Sequence, residues 1–139
     1  MIYGIAPFMP PELVAILMEM GHGDELVIGD RNFPASTLAR RLVRCDGVNG
    51  PAMLEEVLRL IPLDYVTDYD IMLMKPDGEP PVWAEYRRIV EQAQKNGPAR
   101  LMDLPKPEFY ARSREAFAVV ITGESAAFGN VIVRKGVLK

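Results

Sequence analysis

The chain reads as one α/β domain, residues 1–139, with a single sheet covered by helices on both faces. Three observations predict it. Short apolar or β-branched runs alternate along the chain with stretches of helical apolar periodicity. The 139 residues, 49% of them hydrophobic, can bury one core without a second domain. No internal repeat, linker or low-complexity tract interrupts the alternation.

Pro10-Pro11-Glu12 opens the first helix, since proline is tolerated where the first amides lack helical partners. Leu13, Ile16, Leu17 and Met20 mark its apolar face, and Gly21 is its expected stop. A strand over Leu26 to Ile28 follows. Arg31 to Ser36, containing Pro34, reads as a loop, and Leu42 to Cys45 as a second strand closed by an Asp46-Gly47 turn. Met53, Leu54, Val57, Leu58 and Ile61 repeat at helical spacing until Pro62 ends the helix. Ile71 to Met74 is the next strand and Lys75 to Pro81 a proline-rich loop. Trp83, Tyr86, Ile89, Val90 and Ala93 then form a helix face before Asn96-Gly97-Pro98, with the two aromatics read as core. A last helix from about Pro107 to Phe117 feeds the strand Ala118 to Thr122, and Val131 to Val133 closes the sheet.

Composition excludes several classes of partner. The net charge is −3 and the basic residues are scattered, so no stripe for nucleic acid exists. No apolar run reaches the length of a membrane span, and Met-Ile-Tyr-Gly-Ile-Ala-Pro lacks the pattern of a signal peptide. The expectation is a cytoplasmic protein. The single cysteine, Cys45, excludes an intrachain disulfide and is expected to be a small buried strand residue. Eight methionines exceed what a small monomer's interior usually asks for, which points to some of them at subunit contacts.

The chemistry centres on Gly21-His22-Gly23-Asp24, which holds the only histidine. Imidazole titrates near neutral pH without tuning, so His22 is a candidate general acid/base. A structural histidine in a helix-to-strand turn is the competing reading. Asp24 could orient the imidazole, but a role satisfying backbone amides of the turn is preferred. Asp30 stands just past the C-terminal end of a strand, where open α/β sheets place ligand groups.

The run Met20-Gly-His-Gly-Asp-Glu-Leu-Val-Ile-Gly-Asp-Arg-Asn-Phe-Pro-Ala35 resembles the N-terminal signature of the RbsD/FucU family of sugar mutarotases. Arg44-Cys45-Asp46-Gly47, Pro62-Leu63-Asp64, Phe109-Tyr110, Ala116 to Glu124 and Gly129 to Gly136 follow in the same order and spacing. The two ends carry the resemblance; roughly residues 68–105 match loosely. It implies an RbsD-like fold and interconversion of the α and β anomers of a free monosaccharide, with no cofactor and no metal. By resemblance His22 is the proton donor, and Asp64 aligns with a proton acceptor of the fucose branch; alone it would be an ordinary helix-exit aspartate. Asp30 and Asn130 coincide with substrate-binding positions and are chemically apt, since a carboxylate accepts from two hydroxyls and an amide donates and accepts. Gly129 falls in the same run. Tyr110 offers a flat face suited to a deoxysugar, although an aromatic there is as often core. Relatives imply a homo-oligomer, commonly a ring-shaped decamer with sites near subunit boundaries.

Two departures bear on the substrate. Phe128 stands where the family has a tyrosine, deleting a phenolic hydroxyl, and Lys106 stands where fucose-type members have arginine, losing a bidentate contact. The loop Asp30-Arg31-Asn32-Phe33-Pro34-Ala35 still resembles the fucose branch more than the ribose branch, so L-fucose is the expected sugar. The alternatives are a ribose pyranase, a mutarotase for another sugar, or a non-catalytic monosaccharide-binding or transport-accessory protein. A metal hydrolase on His22, Asp24 and Asp30 is disfavoured by its poor donor set.

Overall fold

The computed structural model describes residues 1–64, 66, 69–93 and 100–139. Its elements are α1 (Pro11–Glu19), β1 (Glu25–Gly29), α2 (Ala35–Leu38), β2 (Leu42–Cys45), α3 (Gly50–Leu60), β3 (Ile71–Lys75), α4 (Pro81–Ala93), β4 (Leu101–Pro105), α5 (Lys106–Glu115), β5 (Ala118–Thr122) and β6 (Val131–Arg134). The strands form one mixed six-stranded sheet in the order β2-β5-β1-β6-β3-β4. β6 pairs antiparallel with β1 and β3, while the other pairings are parallel. Every strand except β6 therefore runs the same way, and their C-terminal ends share one edge of the sheet.

Side chains alternate across a strand, and here both faces are covered, which is why the strands read as continuous apolar runs. Leu26 and Ile28 of β1 join Leu13 and Leu17 of α1, Leu54 and Val57 of α3, and Trp83 and Val90 of α4 in one core layer. Val27, between them, belongs to the opposite layer with Phe33, Leu38 of α2 and Phe109 of α5. The α/β architecture with helices on both faces stands as read.

Four local readings are corrected. Arg31 to Ser36 is not wholly loop, because α2 starts at Ala35; four residues burying only Ala35 and Leu38 carry too little periodicity to announce a helix. β4 went unread because it is an edge strand, half to fully exposed and ending in proline. Gly21 is not a left-handed stop: Met20 turns to extended backbone after α1, and the Asp24 carboxylate accepts the Gly21 amide at 2.7 Å. Cys45 is half-buried rather than buried, since β2 is the other edge of the sheet. Met9, Met20, Met53, Met72 and Met74 are core, whereas Met18 is 81% exposed. The Asn96-Gly97-Pro98 helix end lies outside the described residues.

Candidate functional site

The predicted residues gather in two clusters at opposite ends of β1. At the N-terminal end, the turn between α1 and β1 presents His22, whose Nε2 lies 3.1 Å from Asp64 Oδ1. The imidazole is 46% exposed and the Asp64 side chain fully buried. Asp64 sits just beyond α3, where Pro62 has ended the helix and the chain runs beside β6. Its amide donates to the Arg134 carbonyl at 3.2 Å. Gly136 permits that approach: a Cβ there would stand 2.1 Å from the Leu63 carbonyl oxygen. Asp64 Oδ1 also accepts the Val66 amide at 3.0 Å.

An ion pair invisible to local sequence reading braces this end. Asp70, buried before β3, binds the Arg100 guanidinium at 2.7 Å, and Arg100 in turn donates to the Asp64 carbonyl at 2.9 Å. Thirty residues separate Asp70 from Arg100, so no spacing rule could have paired them. Asp24 keeps its turn-forming part, its carboxylate engaged with Gly21. With its proton on Nε2, the neutral His22 ring would donate to the Asp64 carboxylate and leave Nδ1 with the free lone pair.

At the C-terminal end of β1, Asp30 follows the strand directly and Asn130 precedes β6, which pairs antiparallel with β1. The Asp30 amide donates to Asn130 Oδ1 at 2.7 Å, and Asp30 Oδ1 accepts the Asn32 amide at 2.9 Å. Both residues are buried. Burial pushes the Asp30 carboxyl above its usual value; bonds from Asn32, Asn130 and Gly129 pull back, and the nearby Glu124 charge adds to the rise. Phe128 and Gly129 complete this strap, with Phe128 half-buried and held at a φ of 57°.

Lys106 and Tyr110 belong to this same edge. β4 runs parallel to β3 and delivers α5 there, with Lys106 exposed and its Nζ 5.6 Å from the Tyr110 ring centroid. Tyr110 in turn packs edge-on to Phe33, ring centroids 5.7 Å apart, and the Phe33 amide donates to the Asp30 carbonyl. Sequence reading missed Glu124 here. Its buried carboxylate accepts the Gly50 amide at 3.0 Å and the Ala126 amide at 2.8 Å, tying α3 to the strap. A cleft of about 350 Å³ between the starts of α3 and α4 shares Glu124 but is lined by neither Asp30 nor Asn130.

The two clusters do not meet within one chain. The five residues of β1 rise about 3.3 Å each, which alone holds the ends about 13 Å apart. His22, Asp24 and Asp30 therefore cannot ligate one ion within a chain. Among the described residues no group of three His, Cys, Asp or Glu side chains is arranged to hold a metal. Nor is any helix long and apolar enough to cross a membrane among them.

Comparison with known proteins finds relatives over nearly the whole length of the chain. The human protein named fucose mutarotase is 44% identical over 146 residues, covering 97% of this chain and 93% of that one. An L-fucose mutarotase of Haemophilus influenzae is 40% identical, covering 99% and 97%. The crystal structure of the fucose mutarotase in complex with L-fucose from Streptococcus pneumoniae superposes with a TM-score of 0.94 at 40% identity, covering 99% of this chain and all of that one. The model of the RbsD / FucU transport protein family matches residues 3–138. With a fold, an order of motifs and a length in common, the chain belongs to the RbsD/FucU family.

Proposed function

We propose that this protein is a sugar mutarotase that interconverts the α and β anomers of a free monosaccharide, L-fucose foremost, in the cytoplasm. The observation that carries the reading is the exposed His22 imidazole seated on the buried Asp64 carboxylate, in a chain whose curated relatives are named fucose mutarotases. Ring opening needs the anomeric hydroxyl to lose a proton and the ring oxygen to gain one as the C1–O5 bond breaks. The carbonyl then turns and the reverse step closes the ring. One imidazole carries both transfers, with Nδ1 taking the hydroxyl proton and the imidazolium returning one to the ring oxygen. Asp64 fixes the ring and its tautomer. No redox step or leaving group is involved.

Substrate is held at the other end of β1. Asp30 and Asn130 present acceptor and donor groups to sugar hydroxyls, Phe128 and Tyr110 supply apolar faces, and Lys106 supplies a donor. Because about 13 Å of strand separates these groups from His22, the complete site takes His22 and Asp64 from one copy of the chain and the sugar-binding edge from another. The working form is therefore a homo-oligomer.

The test is saturation-transfer NMR on L-fucose, D-ribose and D-galactose, which reads α/β exchange directly. Accelerated exchange strongest on L-fucose is the expected result. Acceleration confined to ribose would reassign the substrate, and binding without exchange on any of the sugars would make the protein a carrier.

A further inference from the structure

Trp83 and Tyr86 read as core residues in the sequence, and both are buried, yet each also spends its polar atom on the sugar-binding strap. Trp83 Nε1–H points at the Phe128 carbonyl at 3.4 Å, and the Tyr86 hydroxyl donates to the Gly129 carbonyl at 2.8 Å. Three positions apart on α4, they lie on one face of the helix and take two consecutive carbonyls. Tyr86 is 0% exposed, and it reaches its target past Gly50, where a Cβ would stand 2.0 Å from the phenolic oxygen. The strap requires restraint. At a φ of 57°, Phe128 occupies the left-handed region that a bulky side chain avoids, and it does so two residues before Asn130, which meets Asp30.

We propose that Tyr86, assisted by Trp83, is a positioning residue for sugar binding: its hydroxyl bond to the Gly129 carbonyl holds Phe128 left-handed and so sets Asn130 against Asp30. This rests on the sugar-binding reading of that edge. Phenylalanine would fill the same core volume, so the hydroxyl is the atom that distinguishes a positioning role from packing. Burial, with the Glu124, Asp30 and Glu85 carboxylates around it, pushes the phenol's ionisation far up, and it remains a donor at every working pH.

The test is Tyr86→Phe in the full chain, read in two ways. Without sugar, amide hydrogen exchange at Gly129 and Asn130 should quicken about tenfold while the amides of β1 and β5 hold their wild-type rates. With L-fucose, the half-saturating concentration should rise about tenfold, with turnover within about twofold of wild type and an unmoved pH profile. Trp83→Phe should act in the same direction and more weakly, its bond being longer. Strap amides that exchange as in wild type, or a uniform quickening across the sheet with unchanged half-saturation, would assign Tyr86 to the core alone. A wild-type protein that accelerates no anomer exchange would overturn the mutarotase reading instead, and the sugar-free amide rates would still decide whether Tyr86 holds the strap.

Discussion

At one end of β1 an imidazole stands 46% exposed over the buried Asp64 carboxylate; at the other, Asp30, Asn130 and Glu124 are all buried and bonded to backbone amides. The ends share a strand but follow opposite designs. An exposed titratable group can meet a proton partner arriving from outside, whereas a buried lattice of fixed donors and acceptors can hold hydroxyls still and cannot move. On the proposed reading, proton transfer and sugar recognition are thus kept apart within the chain and would be joined only by assembly.

The largest expected effect breaks the first end. His22→Gln should lower anomer exchange by at least about 100-fold while leaving sugar affinity within about tenfold, because the proposed general acid/base is lost and the proposed binding edge is untouched. Saturation-transfer NMR with a binding titration checks both, and full activity in the variant would mean another group carries the proton. Next comes a test of the separation itself. Chains carrying His22→Gln and chains carrying Asp30→Ala, each inactive alone, should regain exchange well above either parent when co-expressed and co-purified. Failure to regain it in mixed assemblies would place both clusters in one chain's site.

Phe128→Tyr sharpens the recognition end. The Phe128 ring is half-buried, so a restored hydroxyl has room for a sugar partner. L-fucose affinity should rise about threefold with D-ribose unchanged. A loss on both sugars would show a pocket built around phenylalanine.

The smallest effect is on stability. Burial raises the Asp30 carboxyl, with Glu124 adding to the rise, so the native state binds that proton more tightly than the unfolded chain does. The associated stability is present in acid, below the ordinary carboxylate value of about 4, and is lost as pH climbs through the raised value. Asp30→Asn should therefore raise Tm at neutral pH by about 3 °C. Near pH 3, by thermal melts, the difference should vanish.

Periodicity and turn residues made most of the fold legible. Leu42 to Cys45 and Ala118 to Thr122 are strands with the boundaries read from the sequence, and Leu13, Ile16 and Leu17 are the buried face of α1. What failed was short or half-exposed: α2 with two buried residues, and the edge strand β4. Both depend on tertiary neighbours for their stability and leave little pattern of their own.

For the site, the sequence by itself determined the residue types, since one histidine and a motif order shared with a family leave few candidates. It could not determine which of them stand together. His22 and Asp30 lie eight positions apart and end up on opposite edges of the sheet, because a strand between them is stiff and extended. His22 and Asp64, 42 positions apart, come within hydrogen-bonding distance, because α3 stops ahead of Pro62 and the returning chain runs along β6. The same holds for Tyr86 and Gly129, which only the packing of α4 against the sheet brings into contact. Apolar periodicity records which side of an element faces the core, and that is a local property. Which polar atoms meet is settled by strand order and helix packing, and these are decided by the cooperative burial of the whole chain.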